Sequence, residues 1–359
     1  MNRSLLLFQN SLKSKETVES YTLYLDYFKE FVSKEMRVEL DYDSLSGVSL
    51  DKMQIMIEDY IMNLKNRVSP NSIPTFYYPI QSFCEANEID LRWKKIRKLF
   101  PAKIKTSGEL PYTTDDIQKM LSVTPQLRNK AIIHFLASTG CRVGALPDLK
   151  IKNLADIQNC KSVVIYEDSI EEYLVFLTPE ASKALEEYFE KRRQDGEIIT
   201  PDSPVFRSKY VLGSQPVTEI SYKGLTNVVV RSSDKANLRD SKNKKHGRFS
   251  KQTDHAFRKR FNTILKLNTS INSNIVEKLL GHKRGLDGVY LKPTIDEMFE
   301  EFQKAIPQLT IDDSERKQAL LDVALKEKSE LEEKNEELEM QKDEMERLRH
   351  RIEALESRS

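Results

Sequence analysis

Over the first hundred residues, apolar side chains recur three and four positions apart, the spacing of one buried helical face. In 17–31 the set is Val18, Tyr21, Leu25 and Phe28, with Ser14 or Lys15 ahead of a first turn led by Glu16, which predicts an amphipathic helix. Met53, Ile57, Tyr60, Ile61 and Leu64 predict a second over 50–66. Ile73, Phe76, Tyr77, Ile80 and Phe83 predict a third over 70–87, opened by Ser69 with Pro70 in its first position. Residues 1–100 therefore form a small all-helical module. It ends in a basic stretch (Arg92, Lys94, Lys95, Arg97, Lys98), and 101–111, with Pro101, Thr106-Ser107-Gly108 and Pro111, is a linker. Residues 112–311 repeat the helical spacing near 179–194, 221–235, 252–267 and 274–280. Two β-prone runs, 163–166 and 173–177, flank the polar stretch 167–172 and predict one short hairpin. The fold class is mainly α with a small β-hairpin, an α+β arrangement in two domains.

The last segment, 312–359, has a different period. Leu331, Leu338, Met345 and Ile352 fall seven apart, with Leu348 and Leu355 three residues after the last two, which is a coiled-coil seam. Lys334 and Gln341 occupy the second seam position upstream, so only the last two heptads are apolar at both positions. This tail also alters the charge count. The whole chain of 359 residues has a formal charge of +1, but the tail holds 10 basic against 16 acidic residues, leaving 47 against 40 in the first 311, a net of +7. An acidic tail masks a basic body suited to a phosphate-rich partner.

The apolar run Leu5–Leu6–Leu7–Phe8 is too short for a signal segment, and no run approaches the ~18 residues of a membrane span. The expected place is the cytoplasm. Cys84, Cys141 and Cys160 are odd in number and lack CxxC spacing, so neither a disulfide framework nor a zinc site is expected. No metal or other cofactor is implied.

Four short stretches carry side chains suited to chemistry. Ser138-Thr139-Gly140-Cys141-Arg142 closes an apolar helix containing Ile132, Ile133, Phe135 and Leu136, and Gly140 permits a turn that delivers Arg142 to a cleft. His255 and Arg258, in DHAFRKRF, share one helical face at i,i+3 and could grip one anion. Leu279-Leu280-Gly281-His282 ends another amphipathic helix, with His282 just past its end. Tyr290 follows in GLDGVYLKP. Each has a bland reading by itself: a surface arginine, a solvated helix face, a capping histidine, a packing tyrosine. Between these stretches 235–260 is the most basic part of the chain, and Lys242, Lys244, Lys245, Arg248 and Lys251 are candidate phosphate contacts.

Their order changes the picture. An Arg after TG, an HxxR, a GH and a Tyr eight residues later resemble the active-site boxes of the tyrosine recombinase, or phage integrase, family. The resemblance extends over most of the chain: Thr17, Tyr21 and Leu25 are similar to the family's core-binding domain, and 112–311 to its catalytic domain. GHKRGLDGVYLKP looks most like archaeal members. The resemblance implies a site-specific DNA recombinase acting on double-stranded DNA through a 3′-phosphotyrosyl intermediate. Tyr290 would be the nucleophile, Arg142 and Arg258 the clamp on the non-bridging oxygens, and His255 and His282 proton-handling or phosphate-orienting groups. It also implies homo-oligomers, dimer to tetramer on DNA, to which the heptad tail is a plausible contributor, and no membrane partner.

Two positions depart from the family's pattern. The family has a Lys in the hairpin turn, as acid to the leaving 5′-oxygen. Here the turn is Glu167-Asp168-Ser169-Ile170-Glu171-Glu172, and Lys161, ahead of the first strand, is a poor positional substitute. Ala145 stands where the family usually has Glu. The departures leave open a degenerate member that binds DNA without cutting it. A type IB topoisomerase-like enzyme shares the tyrosine chemistry, and a coiled-coil scaffold would not need Arg142 or Tyr290 at all.

Overall fold

The computed structural model describes residues 2–105, 110–209, 217–239, 249–251, 253–283 and 290–356. The chain divides into two compact units, Met1–Lys105 and Thr106–Ser359.

The first unit is all helical. It contains α1 (Arg3–Ser11), α2 (Lys15–Met36), α3 (Tyr42–Ser46), α4 (Leu50–Lys65), α5 (Ile73–Ala86) and α6 (Trp93–Arg97). Ser14 caps α2 by accepting from the Thr17 amide, and the helix stops where Arg37 takes a left-handed conformation. The predicted apolar faces pack inward: Leu25 and Phe28 of α2, Ile57 and Ile61 of α4, and Tyr77, Ile80 and Phe83 of α5 are all buried in one core. Phe8 of α1 joins them edge-on against Phe83, with ring centroids 5.9 Å apart. One helix start is corrected. Pro70–Ser72 is a 3₁₀ turn and α5 begins at Ile73, with a second proline, Pro74, in its first turn.

The second unit surrounds α8 (Leu127–Thr139), which is buried along most of its length and packs against α9 (Pro179–Gln194) and α11 (Thr253–Leu267). Before α8 lies α7 (Thr114–Ser122), opened by a reciprocal Thr113–Asp116 capping box. The hairpin is part of a three-stranded antiparallel sheet, β1 (Leu154–Ile157), β2 (Cys160–Ile165) and β3 (Tyr173–Leu177), so the sequence reading missed β1 and the start of β2. Register pairs Ile157 with Cys160 and Ile165 with Tyr173, leaving 166–172 as the β2–β3 turn. The helices α10 (Tyr222–Lys235), α12 (Ser273–Leu279), α13 (Ile295–Gln303) and α14 (Ile306–Leu309) complete the body. Phe176 of β3 joins Phe261, Val276, Leu279, Phe299 and Phe302 in a second core of this unit. Ile311 leads into α15 (Asp313–Glu356), one continuous helix of 44 residues.

The start of α15 is tied down by polar contacts. Glu180 accepts from the amides of Ile311 and Asp312 at 2.7 and 2.9 Å, and the Gln118 amide donates to the Ile311 carbonyl at 2.8 Å. Beyond this anchor the seam residues Leu331, Leu338, Met345 and Leu348 are exposed. The side chains of Ile352 and Leu355 lie outside the described residues. Among the described residues no helix is long and apolar enough to cross a membrane.

Candidate active site

Two glycines with positive φ set up the site. Gly140 (φ 57°) ends α8, and a Cβ there would lie 2.5 Å from Cβ of Phe261. Gly281 (φ 65°) follows α12, where a Cβ would lie 2.6 Å from Cδ1 of Tyr173. The left-handed turn therefore costs least with glycine, and its hydrogen is all that fits. Just upstream, Ser138 fastens the end of α8 to β3, its hydroxyl accepting from the Thr178 amide at 2.7 Å. After the turn the chain exposes Arg142 at the start of a 3₁₀ turn, Val143–Ala145.

Arg258, on α11, lies between the two helix ends. Its Nη1 donates to the Gly140 carbonyl at 3.0 Å and its Nη2 to the Leu280 carbonyl at 2.5 Å, so a cation meets the negative ends of α8 and α12. Nη2 also lies 2.9 Å from Nε2 of His282. Burial works against its charge, more than any neighbour does, and holds the guanidinium below its ordinary range. His282 is bonded on its other side, with Nδ1 2.6 Å from Glu277 of α12.

Arg142, His255 and Arg258 line one cleft of about 680 Å³, together with Gly144, Tyr166, Tyr222, Thr226, Arg239, Phe249, Lys251 and Asp254. His255 is exposed on the α11 face that the i,i+3 spacing predicts. Burial raises the Asp254 carboxyl, with the charge of His255 opposing it. Tyr166 is also raised by burial, and Arg142 opposes that shift. Arg239 stacks on Phe249, its guanidinium carbon 4.3 Å from the ring centroid. Among the described residues no group of three or more His, Cys, Asp or Glu is arranged to hold a metal ion.

The other expected residues lie elsewhere. Tyr290 is 78 % exposed and is not among the residues lining the cleft. Lys161 is held on β2 by Asp156 at 2.6 Å and Glu186 at 2.8 Å, away from the cleft lining. Lys251 does line the cleft, but its ammonium is paired at 2.5 Å with Asp116, the buried acid of the α7 capping box. Lys242, Lys244, Lys245 and Arg248 lie outside the described residues. Ala145 is buried against the core.

Two residues that the sequence reading passed over belong with this group. Glu277 is the acceptor on His282. Lys283, the next residue, donates its ammonium to the carbonyl of Ile170 in the β2–β3 turn. The only sequence signal for either was proximity to the GH pair.

Comparison with known proteins relates the chain to the family that its motifs resemble. The model of the phage integrase family matches residues 112–286. Tyrosine recombinase XerC of Leptospira interrogans is 23% identical over 318 residues, covering 86% of this chain and 94% of that protein. Tyrosine recombinase XerA of Pyrococcus horikoshii is 24% identical over 300 residues, covering 82% of this chain and 88% of that protein. Among solved structures, a lambda integrase tetramer bound to a Holliday junction superposes with a TM-score of 0.52 at 14% identity over 81% of this chain and 75% of that one, which is a likeness of fold. With Arg142, His255 and Arg258 brought to one cleft, residues 112–286 of the chain belong to the phage integrase, or tyrosine recombinase, family.

Proposed function

We infer that this chain is a site-specific DNA recombinase that cleaves and rejoins double-stranded DNA through a 3′-phosphotyrosyl link to Tyr290. The observation that carries the reading is the convergence of Arg142 and the His255–Arg258 pair, from distant stretches of sequence, on one cleft, with His282 bonded to Arg258. Solvated surface residues would have no reason to meet.

The chemistry follows from charge. Attack on a phosphodiester builds negative charge on the non-bridging oxygens, which fixed guanidinium groups stabilise more in the transition state than in the ground state. Arg258 is fixed by two backbone carbonyls, so its direction is set before DNA arrives. Arg142 is the more exposed partner across the cleft. Loss of one such donor typically costs about 3–4 kcal/mol of barrier. His255 accepts the Tyr290 proton as the phenolic oxygen bonds to phosphorus. The P–O5′ bond breaks and the 5′-oxygen leaves with a proton, which we assign to Lys283, the ammonium held at the β2–β3 turn. A 5′-hydroxyl of another strand then attacks the phosphotyrosine and releases Tyr290. Bond energy is conserved, so no nucleotide cofactor is needed.

In this reading Tyr290 enters the cleft only with DNA bound. The basic stretch Lys242, Lys244, Lys245 and Arg248 contacts backbone phosphates, a sequence-independent and salt-sensitive contribution, while Lys251 lines the cleft with its ammonium on Asp116. Strand exchange joins two duplexes, so dimers pair into tetramers on DNA, and α15 contributes a coiled-coil contact between copies. The working compartment is the cytoplasm. Domain roles follow: residues 1–100 grip DNA, 101–111 link, 112–311 catalyse and 312–359 associate.

The test is incubation with a nicked site from which the cleaved 5′ fragment diffuses away. A covalent protein–DNA complex should accumulate. A site that is bound but never joined to protein would point instead to a binding protein without cleavage activity.

A further inference from the structure

His282 is bonded at both ring nitrogens. Nδ1 lies 2.6 Å from Oε2 of Glu277, and Nε2 lies 2.9 Å from Nη2 of Arg258. A guanidinium nitrogen has only N–H groups to offer, so Nε2 accepts from it. The ring proton is therefore on Nδ1, donated to the carboxylate. Glu277 is held in turn by an ion pair to Lys266 of α11. That contact is the largest cause keeping its carboxyl below the ordinary range, and it does so against the cost of burial. The backbone adds a further tie, since the His282 amide donates to the Glu277 carbonyl at 2.9 Å. One helix end thus carries both the imidazole and its acceptor. Both side chains are about a quarter exposed, at 27% and 28%, so water competes only in part for these bonds.

We propose that Glu277 is the positioning residue of His282: it selects the Nδ1–H tautomer and aims Nε2 at the anion held by Arg258. It also balances the imidazolium charge when Nε2 takes a proton from solvent and donates to a non-bridging oxygen. Lys266 anchors the carboxylate from α11, so the chain α11–Lys266–Glu277–His282 returns to Arg258 on the same helix. The inference rests on the recombinase reading of the cleft. It adds a residue that touches neither DNA nor the nucleophile, and it assigns the accepting nitrogen of His282 when no phosphate is bound.

Two measurements test it on the full chain. In ¹⁵N-histidine spectra without DNA at alkaline pH, with His282 assigned by its loss in His282→Gln, wild type should show protonated Nδ1 and bare Nε2. Glu277→Ala should give a tautomer mixture, whereas Glu277→Gln should keep the pattern because an amide oxygen still accepts. In cleavage of the nicked site, Glu277→Ala should be slower by about 10- to 100-fold and Glu277→Gln by less than about tenfold, both with unchanged DNA affinity. An unaltered tautomer in Glu277→Ala, or wild-type cleavage by it, would overturn the proposal. Absence of cleavage by wild type itself would remove the recombinase reading, and the spectra would still decide whether Glu277 sets the tautomer.

Discussion

Three lysines weighed as the acid differ in what their ammonium groups face, and this decides which one can supply a proton. Lys161 is spent on Asp156 and Glu186 and Lys251 on Asp116, whereas among the described residues Lys283 touches only a backbone carbonyl of the turn. A carboxylate partner fixes an ammonium in place, whereas a carbonyl can be exchanged for a leaving oxygen. Lys283→Ala should therefore slow strand cleavage by about 100-fold or more, the scale of general acid catalysis. A substrate with a 5′-thiol leaving group, which departs without a proton, should restore most of that loss. Lys161→Ala should cleave at the wild-type rate. Equal loss in both variants, or no thiol rescue, would remove Lys283 from the mechanism. At this scale the sequence was informative where a residue type and a spacing coincide: Arg142 after Gly140, His255 three before Arg258, His282 after Gly281. It was silent on Lys283, because the partner that gives it meaning, Ile170, is 113 positions away along the chain. Glu277 was invisible for a related reason: an acid five residues before a histidine becomes its acceptor only when the helix ends between them.

At the scale of elements, the ends of α8 and α12 hold the site, and each depends on a left-handed glycine. Gly281→Ala should destabilise the second unit. The residue would take a left-handed conformation that costs about 1–2 kcal/mol for a side chain with a Cβ. That Cβ would also be pressed to 2.6 Å from Tyr173, adding an overpacking cost of about 1–3 kcal/mol. The melting temperature should fall, and cleavage measured well below melting should fall further than the folded fraction does, because His282 is displaced from Arg258. A variant with unchanged melting would show that the turn has another solution. Element prediction succeeded for amphipathic helices such as α2, α4 and α9, whose buried faces repeat regularly. It failed for α3 and α6, which are five residues each and too short to show a period. It failed also for β1, whose Ala155 and Asp156 are exposed side by side, so no alternation marks a strand. The β2 start was missed because Cys160 and Ser162 are buried polar or small positions in a run that reads as apolar only from Val163. Pro70 signals a helix start because proline suits that position, but Pro74 suits it equally and α5 begins beside it.

At the scale of the whole molecule, the acidic tail is a separate device. Its 44-residue helix would extend about 66 Å at 1.5 Å per residue, with Leu331, Leu338 and Leu348 of its seam exposed and its start fixed to the body by Glu180 and Gln118. An exposed heptad seam on an anchored stem is the arrangement expected of a self-associating rod. Truncation after Leu325 keeps the anchor and removes the seam, so the shortened protein should be monomeric off DNA at concentrations where the full chain is dimeric, as measured by light scattering. Single-site cleavage should survive. Identical masses for both proteins would assign the tail another role. The basic body was legible only after the tail's charge was set aside, because a net charge sums over parts that act separately.

The central claim is that Tyr290 becomes covalently joined to DNA although it is 78 % exposed and outside the cleft lining in the free protein. The most direct measurement is to trap the complex on a nicked site, digest it and locate the nucleotide-bearing peptide by mass. The account predicts a 3′-phosphonucleotide on Tyr290, and no adduct with Tyr290→Phe. An adduct on any other residue, or one that persists in Tyr290→Phe, would contradict it.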